Sequence, residues 1–147
     1  MLFRSSGVPR NVVVDAGPIV ASFIEADAHH TWASEQWSRL KPPLLTCEPV
    51  LSEAGFILKR LGGDPSAVPA LVEKGVLRIA FSVQDQAGYL RGLMERYSEV
   101  PMSLADACLV RMTELLDDVA VMTFDSDFRI YRRSGRKMIP LIAPQSV

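Results

Sequence analysis

Short apolar runs alternate along this chain with stretches in which apolar residues recur every three or four positions. A run without polar alternation reads as a strand buried on both faces. Residues 12–14, 44–45, 76–81 and 119–123 have that character, and 138–142 repeats it near the end. The intervening stretches read as helices. Residues 19–24 form a short one behind the Gly17-Pro18 turn. Asp27 can cap a second over 28–40, with Trp32, Ala33, Trp37 and Leu40 at helical spacing. Thr46 is placed to cap a third, whose face runs Val50, Ala54, Ile57, Leu58 and Leu61 until Gly62-Gly63 stops it. Asp64-Pro65 opens a fourth, ended by Gly75. Ser82-Val-Gln-Asp85 has the form of a capping box for a fifth, reaching about Tyr97, and Ser103-Leu-Ala-Asp106 repeats that form for a sixth. A short helical stretch through Tyr131 follows the strand at 119–123. Strands alternating with helices, and apolar on both faces, predict an α/β three-layer sandwich with a mostly parallel central sheet.

Composition narrows this without changing it. With 147 residues, no repeat and no long linker, the chain is expected to be a single domain over 1–147, its core spanning about 11–142. No apolar run approaches the roughly 18 residues of a membrane span, and the first ten residues lack a secretory core. A cytoplasmic protein is expected. Cys47 and Cys108 each lie in an apolar segment and read as buried free thiols. The net charge of −1 does not announce a nucleic-acid binder, but its distribution is uneven. No acidic residue follows Asp127, whereas Arg129, Arg132, Arg133, Arg136 and Lys137 do. A basic tail beside an acidic cluster suits an anionic polymer held next to a cation.

The acidic cluster is the candidate chemistry. Asp15 stands at the carboxyl end of the first strand, where open α/β sheets place their sites, though a helix cap accounts for one such aspartate equally well. Asp125 repeats the placement after the strand at 119–123. Glu53 lies beside the apolar stripe of its helix, whereas Glu48 in the first turn is explained by the helix dipole. Asp106 falls three residues after a capping serine, so the return half of a capping box accounts for it locally. Parallel strands all end at one sheet edge, so these four carboxylates converge there. Like charges packed together raise one another's pKa values, and divalent cations relieve them. Oxygen-only ligands favour Mg²⁺ or Mn²⁺ over Zn²⁺. His29 and His30 are adjacent, point to different faces, and make a poor metal pair.

The motifs V-V-V-D-A-G-P at Asp15, L-T-C-E-P-V-L-S-E-A at Glu53, S-L-A-D-A at Asp106 and T-F-D-S-D-F at Asp125 resemble, in order and spacing, those of the PIN-domain nucleases. Within that family the likeness is to VapC-type toxins of bacterial and archaeal toxin–antitoxin pairs, and it runs over about 11–142. The resemblance implies an acidic quartet, Asp15, Glu53, Asp106 and Asp125, that binds Mg²⁺ or Mn²⁺ and cuts RNA, with Asp127 a further polar position. It also implies a homodimer, and an antitoxin whose tail enters the acidic groove. Many relatives carry a serine or threonine two residues after the first aspartate; here Gly17 offers backbone only.

The expected function is therefore a metal-dependent endoribonuclease, with one or two cations that lower the pKa of a bound water. Arg129, Arg132 and Arg133 are candidate contacts to the RNA backbone. A catalytically silent RNA-binding or partner-binding PIN module is the alternative. A small-molecule phosphohydrolase is disfavoured, because the chain has no Gly-rich phosphate loop and no second aspartate two residues after Asp15.

Overall fold

A computed structural model describes residues 7–147; residues 1–6, part of the leading stretch read above, lie outside it. In chain order the strands are β1 (Asn11–Val14), β2 (Leu44–Thr46), β3 (Leu77–Ile79), β4 (Val119–Met122), β5 (Arg132–Arg133), β6 (Lys137–Met138) and β7 (Leu141–Ile142). The helices are α1 (Ala16–Phe23), α2 (His30–Arg39), α3 (Glu48–Arg60), α4 (Ala67–Glu73), α5 (Val83–Arg96) and α6 (Leu104–Leu115).

Five strands form one sheet in the order β3-β2-β1-β4-β7, and every pairing in it is parallel. The β1–β4 pair is its centre, in register from Asn11 opposite Val119 to Val14 opposite Met122. Both strands are buried apart from Asn11, as uninterrupted valine and alanine runs require when helices cover both faces. From β1 the chain steps outward to β2 and then β3, and α1 to α4 fill those connections. It then returns past β1 to β4 through α5 and α6. Right-handed crossovers place connections that run in opposite directions on opposite faces, which gives the three layers. α1 packs on α2 and α3, α5 packs on α6, and α6 lies against β1 and β4. The reversal of direction falls between β1 and β4, so a crevice opens beyond their carboxyl ends.

Several boundaries differ from the sequence reading, each for a local reason. α1 begins at Ala16, ahead of the apolar stretch, because Asp15 caps it; Pro18 is tolerated there because the first turn needs no intrahelical N–H. α2 begins at His30, because the Asp27 carboxylate accepts the His29 N–H at 2.8 Å and makes a turn instead of a cap. Thr46 does not cap α3. Its hydroxyl donates to the Val14 carbonyl at 3.0 Å and ties β2 to β1, leaving Cys47 at the cap position without a side-chain bond. Asp64 likewise turns the chain by accepting from the Ser66 N–H and hydroxyl, so α4 starts only at Ala67. The final segment is not one strand. β5 and β6 form an antiparallel hairpin through Ser134 and Gly135, both at positive φ, and β7 alone joins the sheet beyond Pro140. Pro140 has no N–H to continue a ladder, but its carbonyl accepts from Val121 at 2.9 Å.

Among the described residues no helix is long and apolar enough to cross a membrane. Cys47 and Cys108 are buried free thiols.

Candidate active site

Asp15 is the first residue past β1, and its backbone N–H still reaches Met122 across the sheet at 3.0 Å. Its side chain is only 8% exposed. One carboxylate oxygen accepts the Ala16 N–H at 2.8 Å, and the other accepts the Thr123 hydroxyl at 2.7 Å. The helix-cap reading and the site reading therefore hold together. Burial pushes the Asp15 pKa up to about 6; the two hydrogen bonds pull against it, and the charges of Asp106 and Glu53 push with it.

Thr123 is fully buried at the end of β4. While donating to Asp15, its hydroxyl accepts the Asp125 N–H at 2.9 Å. Asp125 in turn accepts the Asp127 N–H at 2.8 Å and starts a 3-10 turn over Ser126–Arg129. Burial first, and then the Asp125 charge, raise the pKa of Asp127.

Asp106 is the third residue of α6. Both halves of the capping box form: Ser103 Oγ accepts the Asp106 N–H at 3.0 Å, and the return bond from the Ser103 N–H is 3.5 Å long. A return bond that long is weak. The firmer hold on the carboxylate comes from the Tyr131 hydroxyl, which donates to it at 2.8 Å from a fully buried ring. Burial again leads in raising the Asp106 pKa, with Asp125 adding repulsion. Glu53, on α3 beside that helix's apolar stripe, is exposed at the rim. Partial desolvation, ahead of the charges of Asp106 and Asp125, still raises its pKa.

Asp15, Gly17, Glu53, Phe124 and Asp125 line a cleft of about 260 Å³ beyond the ends of β1 and β4. Asp106 is not part of this lining, yet its charge is felt by Asp15 and Glu53, and it feels that of Asp125 in turn. Among the described residues no three His, Cys, Asp or Glu side chains close to metal-ligating spacing. The cluster is thus an open one, in which Asp15, Asp106 and Asp125 are each held by their own hydrogen bonds and Glu53 stands at the rim. Its donors are all oxygens, and its mutual repulsion is of the kind a hard divalent cation relieves, so the chemistry of the set fits Mg²⁺ or Mn²⁺. His29 and His30 take no part in the cluster. The His30 ring nitrogen meets the Ala21 carbonyl at 2.7 Å, and His29 packs on Phe124.

The three arginines read as candidate RNA contacts have internal partners. Arg132 donates to the carbonyls of Arg129, Ile130 and Tyr131. Arg133 reaches the Thr113 carbonyl, seven residues or about 10 Å along α6 from Asp106. Arg129 is the exposed one, and it bonds the Val147 carbonyl.

Sequence reasoning overlooked Thr123, Tyr131 and Phe124. Thr123 had a readable signal, since it sits two positions before Asp125 and ends an otherwise apolar strand. Tyr131 had a weaker one, an aromatic residue embedded between arginines.

Residues 12–134 match the PIN domain family. No curated protein matches the sequence. The fold is similar to the crystal structure of Mycobacterium tuberculosis VapC20, a sarcin-ricin loop cleaving toxin, with a TM-score of 0.72 and 24% sequence identity. That likeness covers 80% of this chain and 92% of the other.

Proposed function

The chain belongs to the PIN-domain family, and from that premise we propose that it is a ribonuclease that hydrolyses RNA phosphodiester bonds with Mg²⁺ or Mn²⁺. The observation that carries this reading is the acidic cleft at the β1–β4 switch point, where Asp15, Glu53 and Asp125 meet and Asp106 lies close enough to repel Asp15 and Glu53. Asp15 and Asp125 are the first ligands, Asp106 completes the set, and Asp127 stands by at the end of the same loop. A bound divalent cation lowers the pKa of a coordinated water and stabilises charge on the scissile phosphate. The chain's own contribution is orientation. Thr123 fixes Asp15 and the start of the Asp125 loop, and Tyr131 fixes Asp106. Glu53, open to solvent at the rim, ligates from that side or orients the attacking water. Arg129, the exposed one, is the side chain best placed to meet RNA phosphate; Arg132 and Arg133 are half-buried, and all three would give up carbonyl partners to do so.

The resemblance to a toxin that cleaves the sarcin-ricin loop makes structured RNA the first substrate to test, and it supports a toxin role with an antitoxin partner; a homodimer is proposed on the family resemblance of the sequence motifs alone. One assay decides the activity. The protein is incubated with mixed RNA and single-stranded DNA in Mg²⁺, Mn²⁺ or EDTA, beside Asp15→Asn. Metal-dependent RNA cutting absent from the variant is the expected result. RNA retained but never cut would instead identify a silent binding module.

A further inference from the structure

Phe124 is an odd neighbour for four carboxylates. It stands between Thr123 and Asp125, it is not buried in the core, and its ring forms part of the cleft wall with Asp15, Glu53 and Asp125. An apolar ring offers nothing to a hard cation, which takes oxygen ligands. Two other rings hold it in place. His29 packs on it with centroids 4.4 Å apart and planes tilted by 36°, and Trp32 meets it edge-on at 5.6 Å. These residues come from the start of α2, which is anchored to α1 by the Trp37 indole N–H donating to the Pro18 carbonyl at 3.1 Å. Gly17 completes the seat, since a Cβ there would lie 2.8 Å from Phe124 Cδ2. The absence of a side chain at Gly17 is thus what admits the ring to the cleft.

We propose that Phe124, backed by His29 and Trp32, is a stacking subsite for a nucleobase of single-stranded RNA adjoining the acidic cleft. The subsite rests on the ribonuclease reading and extends it, because it states what part of the substrate is held beside the reacting phosphate. Stacking on an aromatic face accepts any base, so the subsite favours unpaired RNA over duplex without reading sequence. A ring already fixed by two neighbours and a glycine loses little freedom when a base is laid against it.

The test compares oligoadenylate with a base-free ribose-phosphate oligomer of equal length, in Ca²⁺, by fluorescence anisotropy. The wild-type protein is expected to prefer the base-bearing oligomer. Phe124→Ala and Phe124→Leu should each lose about five- to 150-fold in affinity for oligoadenylate, with little change for the base-free oligomer. Phe124→Trp should keep the preference. Equal weakening toward both oligomers would show a ring that merely shapes the wall and would overturn the subsite, as would a preference that survives in Phe124→Ala. If the wild type cuts RNA while that preference survives, the subsite alone fails. If the wild type neither binds nor cuts RNA in Mg²⁺ or Mn²⁺, the ribonuclease reading fails, and the subsite with it.

Discussion

Thr123 donates its hydroxyl proton to Asp15 at 2.7 Å and accepts the Asp125 N–H at 2.9 Å, so one side chain joins the ends of β1 and β4. Valine has the same shape and neither bond. In Thr123→Val the Asp15 carboxylate loses a donor that favours its charged form, and its pKa rises further. The acidic limb of the rate–pH profile should move to higher pH. Stability should fall by about 1–3 kcal/mol, because a buried carboxylate oxygen and a half-buried N–H lose partners. Thr123→Ser should restore both, and a pH–rate series with urea unfolding on the three proteins checks it.

Asp15 itself links stability to pH. Its folded pKa, about 6, lies above the ordinary 3.8, so between those values the folded state binds more protons than the unfolded chain. Stability should therefore fall as pH rises from about 4 to 6 and level off above, by on the order of 3 kcal/mol from this group. In Asp15→Asn the slope over that window should flatten, even though an amide presents one acceptor where the carboxylate presents two. Mg²⁺ should raise the melting temperature of the wild type at neutral pH, and do so less in the variant. Melting curves from pH 4 to 8, with and without Mg²⁺, separate these effects.

Tyr131 holds Asp106 through its hydroxyl from a fully buried ring. Tyr131→Phe keeps the ring packing against Tyr97 and Phe128 and removes only the hydroxyl. Partners of ligating residues typically account for about 10- to 100-fold in metal affinity or activity, and a loss of that size is expected. Titrating Mn²⁺ into the variant while following RNA cleavage would show a higher metal requirement; an unchanged one would leave Tyr131 a core residue only.

Arg129 and Arg133 should separate cleanly. Arg133→Ala removes a bond to a helix carbonyl from a half-buried side chain, so it should lower stability by about 1 kcal/mol and leave the salt dependence of RNA binding alone. Arg129→Ala should leave stability nearly unchanged and reduce the log–log salt slope by about 0.7 for single-stranded RNA. Affinity measured across a salt series, beside thermal melts, distinguishes the two.

The fold was legible because β1 and β4 are apolar runs too short and too β-branched to be anything but buried strands, and because Gly and Pro punctuate the helices between them. The four carboxylates were legible for a related reason, since two of them stand at strand ends that a parallel sheet brings to one edge. Chain-distant partners were not legible. Nothing local says that Thr46 bonds Val14 instead of capping α3, or that Tyr131 reaches back 25 residues to Asp106. The basic tail was legible only as a charge pattern, for the same reason. Five cations in close order look like a solvent-facing patch until Arg132 and Arg133 are seen to bond carbonyls. The final segment was read as one strand over 138–142, because pairs as short as Arg132–Arg133 and Lys137–Met138 carry no period to read.

Gly17 and Phe124 should behave as a coupled pair. Gly17→Ser introduces a hydroxyl near Asp15, which could assist a cation-bound water, but its Cβ would lie 2.8 Å from the Phe124 ring. Overpacking of this kind typically costs about 1–3 kcal/mol, and relief requires the ring to leave its place against His29 and Trp32. The single variant should lose stability and bind single-stranded RNA more weakly, as Phe124→Ala does. In Gly17→Ser/Phe124→Leu the smaller, flexible side chain removes the clash, so stability should recover beyond the sum of the single effects while the preference for base-bearing RNA stays lost. A double-mutant cycle in stability and RNA affinity measures this. Additive stabilities would mean that the ring moves aside freely, and that Gly17 is not what keeps Phe124 in the cleft wall.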